Sequence, residues 1–327
     1  MKRREFITLL GGAIAGWPRT LRAQQSIIPV LGFLHVGSAE PTANAVAGFR
    51  QGLRETGYVD GQNVTIDFRW AEGLYDRLPA LAADLVRRQV AIIFAAGGSA
   101  PAQAAKAATD KIPIVFSSGG DPVAGGLVAS LNRPGGNITG ISLMFSDTVA
   151  KRLGLLHELV PKASVIGVLV NPDYADVDLQ LKQVREAARA LNQELEIEKA
   201  RTGPEIGTAF ENIIRRGAAG MLVANDPFLA SQRNYIVALA TRHAIPVIYE
   251  QREYTMAGGL MSYGPSLVDA LRQGGIYVGR ILKGEKPADL PVVQSSKFDF
   301  IINLQTAKAL GFKIPPGILA IADEVIE

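Results

Sequence analysis

The feature that most constrains this chain is a recurring order of short apolar runs and amphipathic segments. In the first half, apolar runs fall at residues 30–36, 64–70, 90–95 and 112–116; in the second half, at 165–170, 195–199, 219–224 and 245–249. Segments with helical periodicity separate them, at 43–56, 78–88, 178–191 and 229–242. Such alternation predicts parallel sheets built from right-handed strand–helix–strand units, because parallel neighbours need a crossover connection. The halves match at an offset of roughly 130 residues, the scale of one domain. Ile112-Pro113-Ile114-Val115-Phe116 echoes Ile245-Pro246-Val247-Ile248-Tyr249. The expected fold is therefore α/β, with two doubly wound parallel-sheet lobes of similar plan.

The first lobe should end near residues 141–145, and 146–159 reads as a helix leading into the second. Later elements are a strand at 258–263, an amphipathic helix at 266–283 closed by Gly284-Glu285-Lys286-Pro287, a strand at 298–303 and a short helix at 304–310. They suit a chain that crosses back between lobes through a hinge of two or three strands. We expect residues 28–145 plus about 257–285 in the N-terminal lobe, and 146–256 plus about 286–327 in the C-terminal lobe.

Composition narrows the function. The chain has 327 residues, 48% of them hydrophobic and 20% charged, which excludes disorder and coiled coil for the whole. It has no cysteine. That removes disulfides, thiolate metal sites, a cysteine nucleophile and a lipid-anchored N-terminal cysteine. Of 34 cations and 31 anions, five and one lie in residues 1–23; the rest keeps 29 and 30, a net charge of −1. With no basic stripe in that body, nucleic acid is not an expected partner.

Residues 1–23 read as an export signal. Lys2-Arg3-Arg4 precedes an apolar run from Phe6 to Gly16, and Leu21-Arg22-Ala23 offers a cleavage site near Ala23. Arg3-Arg4 followed by Phe6 and Ile7 resembles a twin-arginine signal. The alternative is a cytoplasmic N-terminal helix. A periplasmic location is expected.

In open parallel sheets ligands sit beyond the carboxyl ends of the strands. In the first lobe those ends are Gly37-Ser38-Ala39, Gly97-Gly98-Ser99-Ala100-Pro101 and Ser117-Ser118-Gly119-Gly120-Asp121-Pro122. In the second they are Asn171-Pro172-Asp173, Asn225-Asp226-Pro227 and Glu250. Ser99 reads as a helix N-cap whose free N–H groups favour a carboxylate. Asp226 or Glu250 opposite can accept from an ammonium group. The pair suggests a zwitterion held between lobes; the bland reading is that Ser99 and Asp226 cap their own helices. Among the aromatic residues near strand ends (Phe116, Phe145, Tyr174, Phe228, Tyr249 and Tyr263) we single out Tyr174 and Tyr263, which read as loop residues that can stack on a ligand.

Signals of catalysis are poor. Gly97-Gly98-Ser99-Ala100-Pro101 lacks the last glycine of a nucleophile elbow. His157 and His243 fall on helices; His35 ends the first strand and reads either as a ligand contact or as a packed core histidine. No metal-ligand spacing, phosphate loop or dinucleotide fingerprint is present, so no catalytic residue, metal or cofactor is expected.

Several stretches resemble a known family. They are Gly52-Leu53-Arg54-Glu55-Thr56-Gly57-Tyr58-Val59-Asp60-Gly61-Gln62-Asn63, Ile112-Pro113-Ile114-Val115-Phe116, Asp121-Pro122-Val123, Arg133-Pro134-Gly135-Gly136-Asn137-Ile138-Thr139-Gly140 and Asn303-Leu304-Gln305-Thr306-Ala307-Lys308-Ala309-Leu310-Gly311. With the leader and the doubled lobe, they are similar to the ABC transporter substrate-binding family that includes tryptophan- and tyrosine-binding lipoproteins. The resemblance runs from about residue 28 to the C-terminus. It implies a type I periplasmic-binding fold, a cleft that closes on a small-molecule ligand, ABC permease subunits as partners and no enzymatic activity. It also implies a cleft lined by Ser99, Ser118, Asp121, Asn171, Asp226 and Glu250; Ser38, Tyr174 and Tyr263 complete the expected ligand-binding set. Lacking the lipoprotein cysteine, the chain should be a free periplasmic monomer. The ligand class expected is an amino acid or related small carboxylate, with an aromatic one allowed. The alternatives are an exported sensing module that presents its closed form to a receptor, and an α/β enzyme using the same cleft with Glu250 as base.

Overall fold

Thirteen strands form two separate sheets in the computed structural model, which describes residues 28–327. The expected leader, residues 1–23, lies outside them. The strands are β1 (Val30–His35), β2 (Thr65–Trp70), β3 (Ile92–Ala96), β4 (Ile114–Ser118), β5 (Ile138–Ser142), β6 (Val165–Val170), β7 (Glu194–Lys199), β8 (Gly220–Val223), β9 (Val247–Tyr249), β10 (Met261–Pro265), β11 (Val293–Gln294), β12 (Phe298–Asn303) and β13 (Glu324–Ile326).

The first sheet runs β11-β5-β4-β3-β1-β2 and every pairing in it is parallel. The second runs β13-β12-β10-β9-β8-β6-β7, parallel except where β10 meets β12. Stripped of late strands, the orders are 5-4-3-1-2 and 10-9-8-6-7. The second lobe thus repeats the first, with β9 in the place of β4. In both, the strand order reverses next to the opening strand, which leaves a crevice at the carboxyl ends there.

Continuous apolar runs give strands buried on both faces. On one face of the first sheet, Phe33, Phe49 and Phe94 pack with ring centroids 4.5–5.4 Å apart. All three are fully buried, and each contributes roughly 2–3 kcal/mol by burial. The helices Ala43–Glu55 and Leu267–Leu282 cover this face together. They approach so closely that a Cβ on Gly52 would lie 1.9 Å from the Arg272 carbonyl oxygen, and one on Gly275 2.2 Å from that of Phe49. Only glycine permits that backbone contact.

The chain crosses between lobes three times: after β5, after β10 and after β11. This corrects the expected boundaries. Residues 257–285 are not one unit, because β10 pairs with β9 and β12 in the second sheet while the helix Leu267–Leu282 packs on the first lobe. Nor does 286–327 belong wholly to the second lobe, because β11 pairs with β5. A two-residue strand carries no periodicity, so nothing in the sequence marks β11. Among the described residues, no helix is long and apolar enough to cross a membrane.

Candidate functional site

The carboxyl ends of the two sheets face each other across a cavity of about 80 Å³. From the first lobe, its wall takes His35 and Ser38 after β1, Gly97 and Gly98 after β3, and Ser117 and Gly119 at the end of β4. The second lobe adds Tyr174, Asn225, Arg233, Gln251 and Glu253. Apolar surface comes from Ala45, Leu143, Phe145, Leu267 and Leu271.

Glycine makes the approach of the lobes possible. Gly98 has φ +110°, and a Cβ there would lie 3.1 Å from the Tyr174 ring. A Cβ on Gly120 would lie 2.5 Å from an Asp176 carboxylate oxygen. Among the described residues, two hydrogen bonds join the lobes directly. The Ser99 hydroxyl donates to Asp176 Oδ2 at 2.7 Å, and the Tyr75 hydroxyl donates to Asp226 Oδ2 at 2.6 Å.

These contacts revise the expected zwitterion clamp. Gly98, not Ser99, is the N-cap; Ser99 is the first residue of the helix Ser99–Ala108, and its hydroxyl also meets that of Ser118 at 2.8 Å. Asp226 caps its own helix through Leu229 N–H at 2.8 Å and takes Tyr75 as second donor. Burial pushes its carboxyl pKa up, opposed by the Tyr75 and backbone hydrogen bonds. Both groups are occupied by protein partners and neither lines the cavity.

Of the nine expected site residues, Ser38 and Tyr174 reach the cavity wall; the Tyr174 hydroxyl accepts from Asn225 Nδ2 at 2.9 Å. Ser99 and Ser118 stand behind the wall. Asn171 turns inward to accept from Asp173 N–H at 3.0 Å. Asp121 caps the N–H groups of Val123 and Ala124 and borders a different cavity, of about 190 Å³. Tyr263 is a strand residue of β10 rather than a loop residue. Its ring stacks on Phe298 and meets Phe300 edge-on, both at 6.1 Å, within the second lobe's core.

Glu250 is fully buried and off the cavity wall, with both carboxylate oxygens lacking a hydrogen-bond partner. Desolvation pushes its pKa up to about 8, with Arg152 acting the other way. Arg152 is also fully buried and lowered to about 10 by desolvation; its Nη1 donates to the Val223 carbonyl at 2.9 Å. The two are coupled through their charges, but no salt bridge joins them.

Most wall residues were absent from the expected set, among them Arg233, Glu253, His35 and Ser117. Arg233 begins the helix Arg233–Arg242, and Glu253 lies in the helix Arg252–Met256. Both also border an adjoining groove of about 800 Å³, so they stand at the cavity's mouth. The groove's other arginines are engaged: Arg252 with Glu324 at 2.9 Å, Arg272 with Glu55 at 2.8 Å and Asp269 at 3.0 Å. Among the described residues, no carboxylate lies within 4.0 Å of the Arg233 guanidinium. Burial pushes the Glu253 pKa up, while Arg252 and Arg233 oppose the shift. His35 Nδ1 accepts from Gly37 N–H at 2.9 Å, which puts the ring proton on Nε2. Burial lowers its pKa to about 4, so the ring is neutral at ordinary pH. The Ser117 hydroxyl is buried without a hydrogen-bond partner. Their position downstream of β8 and β9, beyond the strand ends at Asn225-Asp226-Pro227 and Glu250, was the available signal for Arg233 and Glu253.

A cavity enclosed between the strand ends of two doubly wound lobes, linked by three crossings, defines a type I periplasmic-binding fold. The chain belongs to the ABC transporter substrate binding protein family, whose model matches residues 33–326. It is 32% identical over 267 residues to the tyrosine-binding protein of Clostridioides difficile (strain R20291), covering 81% of this chain and 76% of that one. Among solved structures it is similar to a conserved domain protein from Vibrio cholerae (TM-score 0.84). It is also similar to the ABC domain from Streptococcus pneumoniae in complex with L-Trp (TM-score 0.82). Each is 26% identical and covers 91% of this chain and 99% of the other.

Proposed function

We propose that the protein is the periplasmic solute-binding component of an ABC importer and takes an amino acid, or a closely related small carboxylate, into the interlobe cavity. The observation that carries this reading is that Arg233 and Glu253, not ion-paired with each other, both stand at the mouth of an otherwise neutral, largely apolar cavity. An unpaired guanidinium suits a carboxylate, and a neighbouring carboxylate suits an ammonium group. The apolar wall suits the side chain of the same molecule. The names of the relatives, one tyrosine-binding and one bound to L-Trp, agree with that class.

The lobes hinge at the three crossings. A ligand that touches both lobes only when they meet shifts the population toward the closed form. The permease subunits then recognise the closed face. The work of the protein is binding and delivery, without bond-making, as a monomer. The leader-like residues 1–23 agree with export.

The test is a thermal-shift screen of the purified protein against the twenty amino acids and aromatic acids. A ligand present at 100 times its dissociation constant should stabilise by about 2.7 kcal/mol, a rise of several degrees in melting temperature. Arg233→Gln should abolish the shift for its ligand without lowering the melting temperature of the free protein. No shift with any member of the panel would refute the proposal.

A further inference from the structure

A second gap lies between the lobes, on the hinge side. It is the cavity of about 190 Å³ that Asp121 borders, and none of its lining residues lines the cavity described above. The first lobe contributes Asp121 from the loop after β4, Leu131, and Gln294 of β11. The second contributes Leu179 and Gln183 of the helix Val177–Ala190. Met144 joins the wall from the first crossing, where it holds φ +54°, a left-handed conformation that residues other than glycine rarely adopt. One water fills about 30 Å³ of liquid, so the space is ample for a molecule of several heavy atoms.

Two acceptors on this wall, one from each lobe, take no protein donor. Gln183 Oε1 is buried without a hydrogen-bond partner. Buried polar atoms are seldom left so, and one on a cavity wall marks a place where a donor arrives. Asp121 Oδ1 accepts from Val123 N–H at 2.8 Å and Ala124 N–H at 3.1 Å; among the described residues, nothing donates to its Oδ2. Among the described residues, no Lys, Arg or His lines the cavity. A second carboxylate, Asp176, stands beside the wall residue Gly120, whose Cβ would lie 2.5 Å from it. The local field is therefore negative, and a cation that donates hydrogen bonds can satisfy both acceptors. Leu131, Met144 and Leu179 offer apolar surface for a short carbon chain.

We propose that this hinge cavity is a second binding site, in which a small primary ammonium donates to Asp121 of the first lobe and Gln183 of the second and lays its carbon chain against Leu131, Met144 and Leu179. A cation held by both lobes favours their meeting. The site stands apart from the proposed amino-acid cavity and does not depend on what that cavity binds.

The experiment is carbon NMR of the protein labelled at its methionine methyl groups, with the Met144 resonance assigned by its loss in Met144→Leu. The protein is titrated with n-propylammonium chloride, and separately with n-propanol and with tetramethylammonium chloride. The Met144 resonance should shift saturably with propylammonium and with neither control. Asp121→Asn keeps an Oδ1 for the two N–H groups, and Gln183→Met removes an acceptor that has no protein donor, so both variants should melt like the wild type. Each should bind propylammonium roughly tenfold more weakly, as expected for a hydrogen bond to a charged group. No saturable shift overturns the inference. So does an equal response to propanol, which would mark an apolar gap, or to tetramethylammonium, which would mark charge attraction alone. Wild-type affinity in Gln183→Met also overturns it, because the cation would then rest on one lobe. None of these results touches the amino-acid reading, which the separate ligand screen decides.

Discussion

Tyr75→Phe isolates a single interaction between the lobes. Tyr75 lies in a helical turn, Tyr75–Arg77, that follows β2 in the first lobe; Asp226 caps the helix Pro227–Ser231 in the second. The hydroxyl donates at 2.6 Å to a carboxylate that is 1% exposed. Burial and the Asp226 charge together push the Tyr75 pKa far up, so the phenol stays a donor at any working pH. A hydrogen bond to a charged acceptor is worth about 1.5–3 kcal/mol net, which corresponds to about 10- to 150-fold in the equilibrium between separated and meeting lobes. The helix cap survives, because Asp226 still accepts from Leu229 N–H. If the free protein is mostly open, apparent affinity should fall by that whole factor. If it is mostly closed, affinity should change less and the ligand-free variant should expand. Titration calorimetry with the best amino-acid ligand, together with small-angle scattering of the free protein, covers both cases. Unchanged affinity combined with an unchanged radius of gyration would refute the view that this bond helps hold the lobes together.

Three further expectations follow from the same geometry. Gly120→Ala places a Cβ 2.5 Å from an Asp176 oxygen across the cleft, so ligand affinity should drop at least tenfold while the free protein's melting temperature holds; an unaffected affinity would mean the lobes need not approach this closely. Gly52→Ala drives a Cβ to 1.9 Å from the Arg272 carbonyl oxygen and should cost at least about 2–3 kcal/mol in urea denaturation; a smaller loss would show that the helix pair relaxes freely. Glu250 has its folded pKa raised from 4.5 to about 8, so the native protein holds a proton that the unfolded chain releases. Its contribution to stability is therefore full below about pH 4.5 and is lost as pH rises toward 8, an effect on the order of a few kcal/mol. Urea midpoints at pH 5, 6.5 and 8 should slope downward in the wild type and flatten in Glu250→Gln; equal slopes would argue against a protonated Glu250.

Much of the architecture was legible before the structure. Continuous apolar runs such as Leu31–Leu34 and Val168–Val170 can be satisfied only by strands covered on both faces, and the amphipathic segments between them supply that cover. The β4 and β9 echo, each opened by an Ile-Pro pair, marked the duplication. Boundaries were less exact, because the end of a strand is set by its pairing partner. β4 extends two residues beyond the expected 112–116, through Ser118, since Ser117 and Ser118 pair with Ala96 and Ser142. The hinge was legible as a return of the chain, but its third crossing rests on β11, whose two residues are a strand only because β5 lies beside them.

The amino-acid order alone determined that this chain makes two like α/β lobes with strand ends rich in glycine, serine and amide groups, because apolar periodicity is a local property. Tertiary structure decided which of those groups meet a ligand. Ser117 and Ser118 are adjacent and chemically identical, yet one faces a helix and the other the cavity, a distinction set by the pleat and the register of β4. Asp226 and Ser99 looked free until the opposite lobe brought Tyr75 and Asp176 against them. Arg233 and Glu253 came to stand together at the mouth only when the helices on either side of β9 both bordered one gap. Contacts of that kind depend on distances through space, which the order of residues along a chain does not encode one by one.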